Sequence, residues 1–296
     1  MGCASPLRPL LVLLSLLAAC APAFARSLEP TRPPEVAAVH APEVPRRSAG
    51  PLLVPDLRPR PPRDVTLQRG RRGRWDLVFD TTVGNVGVGP LEIVPQSTRC
   101  RLDDGRRGGR VARQRVYHDV DRDGRYRRSV DTTYDEFEVG CFAYHRAHRH
   151  WHYEDLMTYE LSDKDRGRML TSSKMGFCLL DILPVGPRPS RRRYVGDRSG
   201  DITRLPCVST TTQGLSPRWG DLYDAATPGQ RVDVTNLPSG SYCISFVVSR
   251  DGALRERTRA NNRAGTRVVL TRHKRARQVG RCSGPAPYMS SDASKR

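Results

Sequence analysis

"RWDLVFDTTVGNVG", Arg74–Gly87, places Trp75, Leu77 and Phe79 two residues apart with Asp76, Val78 and Asp80 between them, then breaks at Gly84-Asn85 and Gly87. A period of two followed by turn residues is the pattern of a half-buried β-strand. Working outward, "GPLEIVP" (89–95), "QRVDVTNL" (230–237), "SYCISFVVS" (241–249) and "GTRVVLT" (265–271) repeat the pattern, punctuated by Gly, Pro and Asn. No stretch shows the longer period of a long amphipathic helix. Short strands at this spacing predict an all-β chain, an antiparallel β-sandwich with long irregular loops between some strands. "YHDVDRDGRYRRSV" (117–130) reads as a hairpin with Asp123-Gly124 at its tip. Its Asp119-x-Asp121-x-Asp123-Gly124 begins as an EF-hand loop begins, but Val130 stands where the bidentate carboxylate belongs, so a polar hairpin tip is expected.

The flanks differ from this core. Residues 1–25 read as a signal peptide: Arg8, the apolar run "PLLVLLSLLAAC", and a small-residue cleavage site at Ala23-Phe24-Ala25. Leu17-Ala18-Ala19-Cys20 also fits a lipobox, which would leave a lipoprotein anchored through Cys20; secreted and anchored readings both stand. Residues 26–50 are a Pro- and Ala-rich linker expected to be disordered. Residues 51–272 form one domain, and 273–296 form a basic, mostly disordered tail ordered around Cys282. No other stretch is long and apolar enough for a transmembrane helix.

Cys100, Cys141, Cys178, Cys207, Cys243 and Cys282 lie beyond the export signal, with no pair at CxxC spacing. In an exported chain this predicts a disulfide-stabilised fold, with the pairing left open. The net charge is +19 and nearly all of the imbalance is arginine, since Lys164, Lys174, Lys274 and Lys295 are the only lysines. The arginines are dispersed or in tails and are not interleaved with aromatics, which argues against nucleic acid as a partner. Anionic cell-surface polymers are the better match.

Four of the seven histidines fall within eight positions: His145, His148, His150 and His152. On an extended strand His148, His150 and His152 share a face, and His145 falls out of register, supporting the ligands rather than joining them. Three neutral nitrogens leave coordination positions open, as a catalytic site does, and such a set holds Cu²⁺ tightest, with Zn²⁺ next. The competing reading is an exposed His-rich strand, but flanking Trp151 and Leu156 argue for partial burial, where unpaired imidazoles are costly. His148-x-His150 with Glu154 also matches the start of a cupin site, but no histidine between 153 and 272 completes it.

"HRHWHYEDLMTYEL" (148–161), "SSKMGFCLLD" (172–181) and "TQGLSPRWGDLYD" (212–224), in that order, resemble the catalytic domain of the lysyl oxidase family, with an early "VPDL" and a late "NN" pair extending the resemblance over most of 53–270. The resemblance implies a β-sandwich and a copper amine oxidase that oxidises the ε-amino group of peptidyl lysine to an aldehyde with O₂, releasing H₂O₂ and ammonia. It implies copper on His148, His150 and His152, and a lysine tyrosylquinone built from Lys174 and Tyr223. A non-catalytic extracellular copper-binding protein with the same fold is the alternative; such a protein needs neither Lys174 nor Tyr223.

The sequence also departs from the family. Leu156-Met157-Thr158-Tyr159 stands where the animal enzymes carry a further histidine, leaving Glu154 and Asp155 as the nameable substitutes for a base. Ala147 replaces a cysteine of the copper motif, so the disulfides must pair differently. A family calcium site would fall on Asp56, Glu256, Asn261 and Asn262, with Thr258 in place of a further acid. "DTTYDEFE" (131–138), Glu154, Asp155 and Glu160 predict an acidic or neutral mouth that takes small primary amines and exposed peptide lysines broadly.

Overall fold

The computed structural model describes residues 50–102, 105, 107–146, 149–163, 169–195, 207–272 and 275–282. All belong to the unit Arg46–Arg296. The expected signal peptide, nearly all of the linker and the end of the tail lie outside the described residues. No helix among the described residues is long and apolar enough to cross a membrane.

The strands are β1 (Leu52–Leu53), β2 (Leu57–Pro59), β3 (Arg63–Arg69), β4 (Trp75–Asn85), β5 (Leu91–Arg101) and β6 (Arg107–His118). They continue as β7 (Tyr134–His145), β8 (His150–Asp163), β9 (Met169–Phe177), β10 (Leu183–Pro184) and β11 (Gln213–Leu215). The last five are β12 (Trp219–Tyr223), β13 (Arg231–Asp233), β14 (Gly240–Val248), β15 (Arg263–Leu270) and β16 (Ala276–Arg281). Every pairing is antiparallel. The larger sheet runs β11-β5-β6-β7-β8-β14-β15-β16, with β1 on β6 and β9 on β8. The smaller runs β10-β12-β4-β13, with β2 and β3 also on β4. The fold is all-β with two sheets, as the strand pattern predicts.

Between the sheets lies a shared core, Leu77, Phe79 and Val83 from β4 against Ile93, Phe142, Tyr153, Tyr159 and Phe246 from the larger sheet. The stretch Arg74–Gly87 contains β4, on which β2, β3, β12 and β13 all pair. Its alternation predicts one solvated face, yet Asp76, Thr81, Thr82 and Asn85 are buried as well. Partners make this possible. Asn85 Oδ1 accepts from Asp56 N (3.1 Å) and Gly87 N (3.0 Å), and its Nδ2 donates to the Gly89 and Leu215 carbonyls. A buried polar group so bonded avoids the cost of unpaired burial.

Two segments differ from the sequence reading. The Asp-Gly hairpin is a long loop, residues 119–133, organised by two buried carboxylates. Asp119 accepts from Asp123 N and Gly124 N, and Asp131 from Val120 N and Arg127 N. The segment placed in the tail from 273 carries β16, which pairs with β15 and extends the sheet to Arg281. Local composition there is polar and basic; it is the ladder and the covalent link at Cys282 that hold it.

The disulfides are Cys100–Cys141, Cys178–Cys207 and Cys243–Cys282. The last crosses over β15 at Gly265, where an added Cβ would sit 2.9 Å from Cys282 Sγ and 3.0 Å from Cys243 Sγ. Gly265→Ala is therefore expected to cost about 1–3 kcal/mol by overpacking. Cys243→Ala with Cys282→Ala should cost about 4 kcal/mol through a freer unfolded chain. Urea unfolding of all combinations checks the origin: the Gly265→Ala cost should disappear once the two sulfurs are gone.

Candidate metal and tyrosine site

The histidine segment folds as a tight hairpin, not as one strand. Arg149, at φ 60°, donates its N–H to the His145 carbonyl at 2.7 Å and reverses the chain. Register then places His145 opposite His150 and Ala143 opposite His152. Directly paired residues share a face, so His145, His150 and His152 project to one side. His145, out of register when the segment is read as one strand, is thus brought in from the neighbouring strand. His148 lies outside the described residues.

The rings converge. His150 Nε2 and His152 Nε2 are 2.9 Å apart, and the His145 and His152 rings stack at 4.2 Å. His145 Nε2 is also 2.7 Å from Glu154 Oε1. His145, His152 and Glu154 each offer a ligand atom within 4.8 Å of the others. Glu154 has room because β9 carries Gly176 beside it; a Cβ there would stand 2.1 Å from Glu154 Oε1. Imidazole nitrogens with one carboxylate at this spacing suit a borderline divalent ion such as copper or zinc.

Tyr223 comes from the other sheet. β12 pairs with β4, Tyr223 opposite Thr81, and presents the tyrosine towards the larger sheet. Phe177 of β9 stands between the two groups, its ring 6.2 Å from His152 and 3.9 Å from Tyr223. The Tyr223 hydroxyl lies 2.5 Å from Asp221 Oδ2 and 2.9 Å from the Cys178 carbonyl. Asp221 is buried, held by Leu180 N on Oδ2 and Leu222 N on Oδ1. Burial pushes its carboxyl up to about 7, and burial with the neighbouring Asp221 drives the Tyr223 phenol well above its ordinary value. Lys174 lies on β9 opposite Thr158, and its side chain and that of Asp155 are outside the described residues.

Sequence reasoning passed over Asp221, Phe177 and Gln213. Gln213 Nε2 donates to the Trp151 carbonyl at 2.8 Å and its Oε1 accepts from Leu179 N, tying the histidine strand to the segment that carries Cys178. Asp221 was visible in principle, since Asp-x-Tyr on a strand puts both side chains on one face. Glu160, expected in an acidic mouth, is instead buried against Arg250 and Arg263.

A second cluster forms where the early and late motifs meet. Asp56 is fully buried, and Asn261 Nδ2 donates to its Oδ1 at 2.8 Å. Asn262 Nδ2 donates to Glu256 Oε1 at 2.6 Å, and Leu57 N to Glu256 Oε2. Burial raises the Glu256 carboxyl. The four residues come together, but Arg257 already rests on Asp56, its Nε 2.7 Å from Oδ2 and its Nη2 on the same oxygen. Two amide nitrogens and a guanidinium face the carboxylates where a hard cation requires oxygens.

Residues 137–282 match the lysyl oxidase family model. Lysyl oxidase homolog 2 of Bos taurus is 26% identical over 136 residues, covering 45% of this chain and 16% of that protein. Lysyl oxidase homolog 1 of Homo sapiens is 31% identical over 123 residues, covering 41% of this chain and 19% of that protein. The aligned stretch is thus under a fifth of either relative. The fold and the site define a β-sandwich domain with clustered histidines facing a tyrosine. Through residues 137–282 the chain is similar to the lysyl oxidase family.

The raised Asp221 carboxyl has a measurable consequence. A folded-state value of about 7 lies above the ordinary 3.8, so between those values the folded chain holds a proton that the unfolded chain has lost. Stability from this group is full below pH ~4 and declines by about 1.4 kcal/mol per pH unit towards 7. Asp221→Asn should remove that decline, so the wild-type minus variant difference in urea stability should slope across pH 4–7 and be flat above.

Proposed function

We propose that the chain is a copper-dependent amine oxidase converting the ε-amino group of peptidyl lysine, and small primary amines, to aldehydes with release of H₂O₂ and ammonia. The observation that carries the reading is the line of rings His150, His152, Phe177 and Tyr223, which sets a nitrogen-rich donor cluster one aromatic ring away from a tyrosine. His150 and His152 would hold copper, with His148 the third ligand the sequence motif implies and His145 and Glu154 as adjoining donors. A lysine tyrosylquinone formed from Lys174 and Tyr223 would supply the electrophilic two-electron sink that no ordinary side chain offers.

The remaining tasks fall to the chain itself. Asp221 holds the Tyr223 oxygen in place and, with a carboxyl near neutrality, is suited to accept and return a proton there. It fills the role for which the sequence, lacking the animal histidine, offered only Glu154 and Asp155. Phe177 packs over the tyrosine ring and keeps water from that face. The working domain is residues 51–272 extended through β16, acting outside the cytoplasm, where the disulfides persist.

At the Asp56 corner, Arg257 serves as a tethered cation in place of calcium, with Thr258 withholding the further carboxylate. Added Ca²⁺ or a chelator selective for it should leave the melting temperature unchanged. Arg257→Ser, which frees Asp56 beside Glu256, should melt lower and recover on addition of millimolar Ca²⁺. A wild-type chain that melts several degrees higher with Ca²⁺ overturns the substitution.

For the activity, aerobically copper-loaded protein should stain for quinone after denaturation and release H₂O₂ with a small amine. Tyr223→Phe and Lys174→Arg should keep copper but lose both signals, since a guanidinium cannot add to a quinone. His152→Ala should lose most of the copper. Copper retention by wild type without stain would make it a binding protein.

A further inference from the structure

Two loops far apart in the chain meet around a surface cleft whose lining includes none of the clustered histidines. Residues 126–129, in the loop between β6 and β7, face residues 190–193, in the segment after β10, across Pro90 and Pro217 and around a cleft of about 910 Å³. The cleft is lined by Arg127, Arg128, Arg191, Arg192 and Arg193. No stretch of sequence shows this cluster, because the arginines come from two separate runs.

The walls are held rigidly. Arg193 Nη1 donates to Tyr126 Oη at 2.9 Å, and its Nη2 pairs with fully buried Glu92 at 2.8 Å. Trp219 Nε1 donates to the Ser190 carbonyl at 2.6 Å, while Ser190 N and Oγ both donate to the Pro217 carbonyl. Arg127 is committed to Asp121 and Asp123. Arg192 donates to the Asp181 carbonyl and lies 5.0 Å from the Trp219 ring, neither of which neutralises it. Among the described residues, no carboxylate lies within ion-pair distance of Arg128, Arg191 or Arg192. A fold that brings Arg128, Arg191 and Arg192 together without counter-charges among the described residues bears their mutual repulsion until an anion arrives.

We propose that this cleft binds an acidic polysaccharide, whose carboxylates bridge the two arginine walls while its sugar rings lie on the floor of Pro90, Pro217 and Tyr126. Guanidinium groups suit carboxylates by their planar fork. The floor disfavours an acidic peptide. Its prolines offer no N–H, Ser190 N is spent on Pro217, and Arg193 N is spent on Asp181, so these positions give an incoming strand no backbone donor. The site does not depend on the amine oxidase reading, and it places retention on an anionic polymer in the folded domain.

The test measures binding of the full chain to polygalacturonate by calorimetry at physiological salt. Arg128→Gln with Arg191→Gln should raise Kd about tenfold, as loss of two good ion pairs implies. Arg60→Gln with Arg69→Gln, two exposed arginines outside the cleft, removes the same charge and should change Kd by less than about twofold. Equal weakening by both pairs would mean diffuse attraction to a basic protein and would overturn the site, as would absence of binding. Polyglutamate competing as well as polygalacturonate per unit charge would assign the cleft to acidic protein and overturn the polysaccharide. If the cleft double variant melts early, Arg191→Gln alone against Arg69→Gln alone decides by the same ranking.

Discussion

The pairing of His145 with His150 is the constraint on which the site depends. A two-strand register admits only even shifts without turning every side chain to the other face. Once the Arg149 turn sets that pair, His152 and Glu154 follow on the same side. Their neighbours Trp151 and Tyr153 take the opposite side, where Tyr153 enters the core. The donor cluster is thus a by-product of ladder geometry, and the apolar alternation of β8 protects it: a slip that scattered the imidazoles would also expose Tyr153.

A second recurring device is the buried carboxylate that pins a loop. Asp181 accepts from Ser216 N (2.8 Å), Arg193 N (2.9 Å) and Tyr194 N (3.1 Å), and so joins the segment after β9 to the entry of β12. Glu92 receives the hydroxyls of Tyr117 and Tyr194, each at 2.7 Å. Asp221 and Asp56 work alike. Desolvation of such groups is costly, which raises the Asp181 and Asp221 carboxyls, but several N–H and O–H donors on each offset much of that cost. In a chain only 37% hydrophobic with long irregular connections, these anchors and the disulfides do what extra apolar contact would do elsewhere.

The two devices meet at Tyr223. Its strand is set by β4, its hydroxyl by Asp221, and its ring by Phe177 from the opposite sheet. A residue gripped from both sheets has little freedom, and this is the condition under which a side chain can be modified or can react in a fixed geometry.

The strands and the sandwich were legible in the sequence because a period of two is a local property: "RWDLVFDTTVGNVG" declares β4 whatever surrounds it. The histidine cluster, the six paired cysteines and the ordered motifs were legible for the same reason, being matters of residue type and spacing. Tertiary structure decided the rest. It buried both faces of β4, chose one disulfide pairing, brought His145 into the cluster, set Arg257 against Asp56, and gathered arginines from two loops into one cleft. Each of these depends on which distant segments are neighbours, and that follows from strand order and sheet packing, which local periodicity does not encode.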